Sequence, residues 1–274
     1  MNKTPDRYAV IGHPVAHSRS PQIHAEFARL TGQPVHYERI DAAPEHFAGA
    51  LREFLHSGGR GLNVTHPFKE EAYALCHLHT PRAERARCVN TLYIKDDNTL
   101  VGDNTDGAGL VADLRRNQQI TIQGSRILIL GAGGAARGIL PALLDEAPAS
   151  IRVANRTPKR ARHLAGSFSS EARVSGSGLD ELSGLSFDIV INATSASLKG
   201  ELPPLPDDLL EPGAVCYDLA YAERPSLFMH WAEREGAVLI LDGWGMLVEQ
   251  AAESFFIWRG VRPSTATLLA LHPH

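Results

Sequence analysis

Short apolar runs and longer amphipathic stretches alternate along this chain, and the change of period marks where strands give way to helices. Tyr8 to Gly12 reads as a strand ending in a loop, Pro21 to Thr31 as a helix, Val35 to Ile40 as a strand, Pro44 to Ser57 as a helix and Gly61 to Val64 as a strand. This βαβα order predicts an α/β unit with a largely parallel sheet. A second series begins after Gly124. It runs strand Arg126 to Leu130, helix Gly134 to about Leu144, strand Ile151 to Ala154, helix from about Pro158, strand Phe187 to Asn192, strand Ala214 to Leu219, helix Ser226 to Glu235 and strand Val238 to Leu241. A second doubly wound sheet is the expectation. Gly243 to Leu271 reads as mostly helical, with Leu247, Ala251, Ser254, Phe255 and Trp258 sharing one face, and its periodicity does not choose a unit to pack on.

Composition narrows the functional classes. The chain has 274 residues, and at roughly 150 residues per domain it holds two domains. A net charge of -4 and a pI near 6.3 leave no broad basic field for nucleic acid or a membrane surface, so phosphate binding has to be local. Cys76, Cys88 and Cys216 are far apart and lack the paired spacing of zinc or redox sites, which fits reduced thiols in a cytoplasm. Met1 to Arg7 is polar, and no later run approaches the roughly 18 apolar residues of a membrane span. His13 and His17 lack a third ligand at the right spacing, so no metal is expected.

The predicted strand Arg126 to Leu130 runs directly into Gly131-Ala132-Gly133-Gly134-Ala135-Ala136, which fits G-x-G-x-x-A at the start of a helix. Gly131 permits a tight turn, Gly133 lets the backbone approach a pyrophosphate and Ala136 allows close helix packing, while amides at the helix start face the phosphates. The bland alternative is a strand-to-helix turn needing glycine only for geometry. The next strand favours NADP over NAD: where an NAD enzyme places an acid on the ribose 2′-hydroxyl, this chain has Asn155-Arg156-Thr157 followed by Lys159 and Arg160. A guanidinium bonds a 2′-phosphate and stacks on adenine, and cations at a helix start otherwise oppose the helix dipole.

Most other polar motifs sit at strand ends, where open α/β sheets form their ligand crevice. Ser18 and Ser20 precede Pro21, and Ser20 is equally an N-cap or a carboxylate ligand. Asn63-Val64-Thr65-His66-Pro67-Phe68-Lys69, Cys88-Val89-Asn90-Thr91 and Gly102-Asp103-Asn104-Thr105-Asp106-Gly107 follow. Ketone reduction needs a proton for the developing alkoxide, which a Lys and an Asp in contact supply. Taken singly, Lys69 reads as an exposed helix-start lysine and Asp106 as a helix cap.

Taken in order, these motifs, together with Asn192-Ala193-Thr194-Ser195, Asp242-Gly243, Gly245-Met246-Leu247 and Gln250, resemble the shikimate dehydrogenase family over nearly the whole chain. The resemblance implies an α/β fold of two domains. These are an N-terminal substrate domain over 1–106, a Rossmann-type NADP domain over 107–241, and C-terminal helices over 242–274 that return to the first. It implies reversible, NADPH-dependent reduction of 3-dehydroshikimate to shikimate, with Lys69 and Asp106 as the catalytic pair and the carrier of the proton left open between them. Ser18 and Ser20 are implied to bind the substrate carboxylate, and Asn63, Thr65, Asn90, Tyr221 and Gln250 its hydroxyls or ring. Gly131, Ala132, Gly133, Gly134, Ala135, Asn155, Arg156, Thr157, Arg160, Thr194, Gly243 and Met246 are implied to hold the cofactor. His66, Trp244 and Cys88 depart from the family's usual residues, and the loop around Tyr221 matches loosely. Rival readings are a quinate/shikimate dehydrogenase of broader specificity and a catalytically silent NADP-binding sensor. Monomer and homodimer both stay open.

Overall fold

The computed structural model describes residues 4–171 and 173–271; the outer limits expected at residues 1 and 274 lie outside them. The chain forms two compact units, one made of residues up to Leu110 together with Leu247–Leu271, the other of Val111–Met246. Each contains a six-stranded sheet.

In the first unit the strands are β1 (Asp6–Gly12), β2 (Val35–Asp41), β3 (Gly59–Val64), β4 (Leu78–His79), β5 (Thr91–Ile94) and β6 (Leu100–Asp103), in the order β2-β1-β3-β5-β6-β4. The sheet is mixed rather than largely parallel, because β5 runs antiparallel to both β3 and β6. A tight turn joins β5 to β6: Asn98 adopts φ 62°, its amide donates to Lys95 O at 2.9 Å, and Asp97 Oδ1 accepts from Thr99 N at 2.9 Å. Such a turn permits antiparallel pairing where a helical crossover would have kept the strands parallel.

Helix α1 (Ser20–Thr31) buries Ser20, Ile23, His24 and Phe27 on one stripe and stops at Gly32, whose left-handed conformation sends its N–H back to Ala28 O. Helices α2 (Phe47–His56), α3 (Lys69–Leu75) and α4 (Pro81–Ala86) complete the N-terminal stretch. Both faces of β1 are covered. Ala9 and Ile11 join Phe47, Leu51 and Phe54 on one side, while Tyr8 and Val10 pack with Val15, Tyr37 and Trp258 on the other. Trp258 comes from the long helix α9 (Trp244–Arg259), stacks on Tyr8 at 4.6 Å and donates its indole N–H to Leu92 O at 3.0 Å. A Cβ on Gly61 would sit 2.6 Å from that indole nitrogen, so the close approach needs glycine.

Helix α5 (Asp106–Ala112) continues as a wider π-type turn over Asp113–Asn117 into the second unit. There β7 (Arg126–Leu130), β8 (Ser150–Ala154), β9 (Val174–Ser177), β10 (Phe187–Asn192), β11 (Leu210–Asp218) and β12 (Leu239–Leu241) pair in parallel throughout, in the order β12-β11-β10-β7-β8-β9. Ile127, Leu128, Ile129 and Leu130 are fully buried, as a central parallel strand covered on both faces requires. Helices α6 (Gly134–Asp145), α7 (Pro158–Gly166) and α8 (Leu227–Arg234) connect the strands, and α10 (Ala266–Ala270) closes the chain in the first unit. Among the described residues no helix is long and apolar enough to cross a membrane.

Candidate active site

Lys69 is the first residue of α3 and Asp106 the first of α5, so two loops that follow strands β3 and β6 bring them together. Lys69 Nζ donates to Asp106 Oδ2 at 2.6 Å, with side-chain exposures of 15% and 6%; Lys69 is therefore no solvent-facing helix-start lysine. Asp106 does not cap its helix either. Asn104 takes that role by accepting the Asp106 N–H on its Oδ1 at 3.1 Å, which leaves the Asp106 carboxylate for side-chain partners.

Asn90 fixes the other carboxylate oxygen. Its Nδ2 donates to Asp106 Oδ1 at 2.9 Å and lies within bonding distance of Thr105 Oγ1 and Gln250 Oε1, while its Oδ1 accepts from Thr105 N at 2.8 Å. Gln250, on α9, is held in turn by donation from Nε2 to Leu247 O at 2.8 Å. Asn63 Nδ2 donates to Ser254 Oγ at 3.0 Å, and its Oδ1 accepts from Tyr37 at 2.7 Å. Lys69, Asp106, Asn90, Gln250 and Asn63 thus share one buried polar network. Its centre is Ser254, whose hydroxyl lies 2.8 Å from Thr91 Oγ1 and 3.1 Å from Thr105 Oγ1 and donates to Gln250 O. Ser254 and Tyr37 were not singled out from the sequence as site residues; the signal for Ser254 is its position one helical turn after Gln250.

Ser18 and Ser20 form a separate pair, with their hydroxyl oxygens 3.2 Å apart and both residues buried. The N-cap of α1 is Arg19, so Ser20 does not cap the helix. Thr65 packs its methyl where a Cβ on Gly12 would stand, and its N–H donates to Ile11 O at 3.0 Å. His66 faces outward. Cys88 is buried, within 3.1 Å of Asn104 Nδ2.

In the second unit, β7 ends in Gly131 at φ 105°, where a Cβ would meet Ala193 O at 2.9 Å. Only glycine suits that conformation without strain. Gly133 caps α6 with no side chain, and a Cβ there would meet nothing within 4 Å, leaving room at the helix start for a phosphate. Ala136 is fully buried against the sheet. Across the loop, Thr194 donates its hydroxyl to Asn192 Oδ1 at 2.7 Å. Asn192 also donates to Asp218, whose carboxyl is pushed up in pKa chiefly by burial and accepts from Ser197, Ser226 and Ala220 N. Beyond β8, Asn155 Nδ2 donates to Thr157 O at 3.1 Å, and Arg156, Lys159 and Arg160 are exposed at the start of α7, which has no acidic residue in its first turn. Tyr221 is half-buried in the loop after β11. Gly243 sits so close to Leu219 O that a Cβ would lie 2.2 Å from it, and the Met246 N–H donates to Tyr217 Oη at 3.1 Å. Tyr221, Thr194, Gly243 and Met246 belong to this second unit. Among the described residues no group of three or more His, Cys, Asp or Glu has the geometry to hold a metal ion.

Counted from β7, the parallel sheet has the order 3-2-1-4-5-6, with the glycine loop at the point where the order reverses. That arrangement, the open space at Gly133 and the cations after β8 are those of a dinucleotide-binding protein. Residues 10–92 match the shikimate dehydrogenase substrate binding domain, 113–199 the shikimate / quinate 5-dehydrogenase domain and 243–270 the shikimate 5'-dehydrogenase C-terminal domain. The chain belongs to the NADP-dependent shikimate dehydrogenase family. It is 57% identical over 265 residues to the shikimate dehydrogenase (NADP(+)) of Alkalilimnicola ehrlichii, covering 97% of either chain. Among solved structures, an Ael1 enzyme from Pseudomonas putida superposes with a TM-score of 0.89 at 41% identity, over 97% of this chain and 98% of that one. The shikimate 5-dehydrogenase of Thermus thermophilus, in complex with NADP(H) and shikimate, gives a TM-score of 0.83 at 33% identity, over 96% and 97%.

Proposed function

We infer that this chain is the NADP-dependent shikimate dehydrogenase of aromatic amino acid biosynthesis, which reversibly reduces 3-dehydroshikimate with NADPH to shikimate. The observation that carries the chemistry is the Lys69–Asp106 pair, 2.6 Å apart and locked from behind by Asn90. NADPH supplies the hydride when bound. Lys69 hydrogen-bonds the reacting oxygen and donates a proton to the developing alkoxide, and Asp106 aims and polarises Lys69.

Ser18 and Ser20 take the substrate carboxylate, while Asn63, Thr65, Asn90, Tyr221 and Gln250 meet its hydroxyls and ring. The amides of Gly131 to Ala135 take the pyrophosphate, Asn155, Arg156, Thr157 and Arg160 the 2′-phosphate and adenine, and Thr194, Gly243 and Met246 the remaining cofactor contacts. Cys76, Cys88 and Cys216, buried or half-buried and in no disulfide among the described residues, fit a reducing cytoplasm.

The test is kinetic. Lys69→Ala is expected to lower kcat by about 100-fold or more, within the usual range for losing a general acid, with KM changed only a few-fold. Loss of affinity with kcat retained would assign Lys69 to binding, and a wild-type protein that binds NADPH without turning over shikimate would be the silent sensor instead.

A further inference from the structure

Two hydroxyls are an incomplete site for a carboxylate. They supply hydrogen bonds but no charge, and a carboxylate leaving water loses solvation that only positive potential restores. Arg39, on β2, bonds a positive charge directly to the loop of Ser18. Its Nε and Nη2 both donate to Ser18 O, at 3.0 and 2.6 Å, and Nη2 also reaches Gln22 Oε1 at 3.3 Å. The guanidinium fork thus closes on a single main-chain carbonyl and ties the loop between β1 and α1 to the neighbouring strand.

The charge of Arg39 is not neutralised by any carboxylate among the described residues. Other arginines of this unit do meet carboxylates: Arg7 pairs with Glu38, Arg29 with Glu26, and Arg82 with Asp103 and Glu253. Asp41, two residues further on and on the same side of β2 as Arg39, is bonded to His13 at 2.7 Å instead. A guanidinium that spends its donors on a carbonyl keeps its full charge while fixing the peptide it touches. That combination suits a site that must attract an anion and hold two hydroxyls in register.

We propose that Arg39 is the positive charge of the substrate carboxylate site and the positioning residue for Ser18 and Ser20, a role that rests on the reading of those serines as carboxylate ligands. Arg39 is solvent-exposed, so its replacement leaves the core intact. The experiment compares wild type, Arg39→Gln and Arg39→Lys with shikimate and with its methyl ester, which keeps the ring and hydroxyls but carries no charge. Arg39→Gln is expected to raise KM for shikimate about tenfold with kcat changed less than about threefold, and to raise KM for the ester by a clearly smaller factor, since the ester loses only the positioning of the two hydroxyls and not the charge. Arg39→Lys keeps the charge without the fork, and is expected to recover part of the loss. An equal rise for acid and ester would reduce Arg39 to a structural strut, and no change for either would remove it from the site; both overturn the proposal while leaving the dehydrogenase reading intact. Failure of wild type to turn over shikimate would instead remove the dehydrogenase reading itself, and this proposal with it.

Discussion

His24 is fully buried on α1, its ring stacked on Tyr37 at 4.2 Å and 5°, with Phe27, Phe255 and Trp258 around it. Neither ring nitrogen has a hydrogen-bond partner. Burial lowers its pKa to about 3, and Asn63 beside it opposes the shift from outside hydrogen-bond geometry. The ring therefore stays neutral in the fold, while in the unfolded chain it takes up a proton near its ordinary value. Because the folded pKa is depressed, the associated stability is fully present above about pH 6.5 and is lost as the pH falls toward 3. Equilibrium unfolding across that range is expected to show His24→Phe with a shallower acid slope than wild type, by roughly a few kcal/mol in total. Parallel slopes would show that His24 is not the group responsible. Burial also pushes the Cys76 and Cys216 thiols up to about 12, so neither is a ready nucleophile.

At the scale of elements, the strands legible in the sequence were those with strong apolar runs. Arg126 to Leu130 and Phe187 to Asn192 appear with the boundaries the pattern gives. The antiparallel pair β5 and β6 is not legible in the sequence, because each is only four residues long and neither has a clear alternation. The turn residues Asp97-Asn98 between them were the available signal. These short strands matter, since Thr91 and the Asp103-to-Asp106 loop at their ends build the polar network. Helix α7 shows the opposite case, an element whose charge announces a ligand. Arg156, Lys159 and Arg160 crowd its positive end, where their repulsion by the helix dipole is relieved by an anion. Arg156→Asp is expected to lower kcat/KM with NADP about tenfold or more and to narrow or reverse the preference over NAD. An unchanged preference would locate 2′-phosphate recognition elsewhere.

Across the whole molecule, the cofactor and the substrate were legible for different reasons. The glycine loop and the basic residues after β8 follow physical rules that hold in any such sheet, so they point to NADP without reference to relatives. The substrate network has no such local rule. Asn63, Asn90, Asp106 and Gln250 are separated by up to 187 positions, and their meeting depends on strands and a C-terminal helix that no short motif encodes. Resemblance to the family supplied that part. Arg39 lay outside both routes, since a lone arginine on a predicted strand has no pattern to mark it. An NADP-dependent shikimate dehydrogenase activity is tested most directly by one assay, the rate of reduced-nicotinamide formation by purified enzyme with shikimate or quinate and with NADP or NAD. It predicts the highest kcat/KM for shikimate with NADP, lower by about tenfold or more when NAD replaces NADP, and no turnover of shikimate with either cofactor would contradict it.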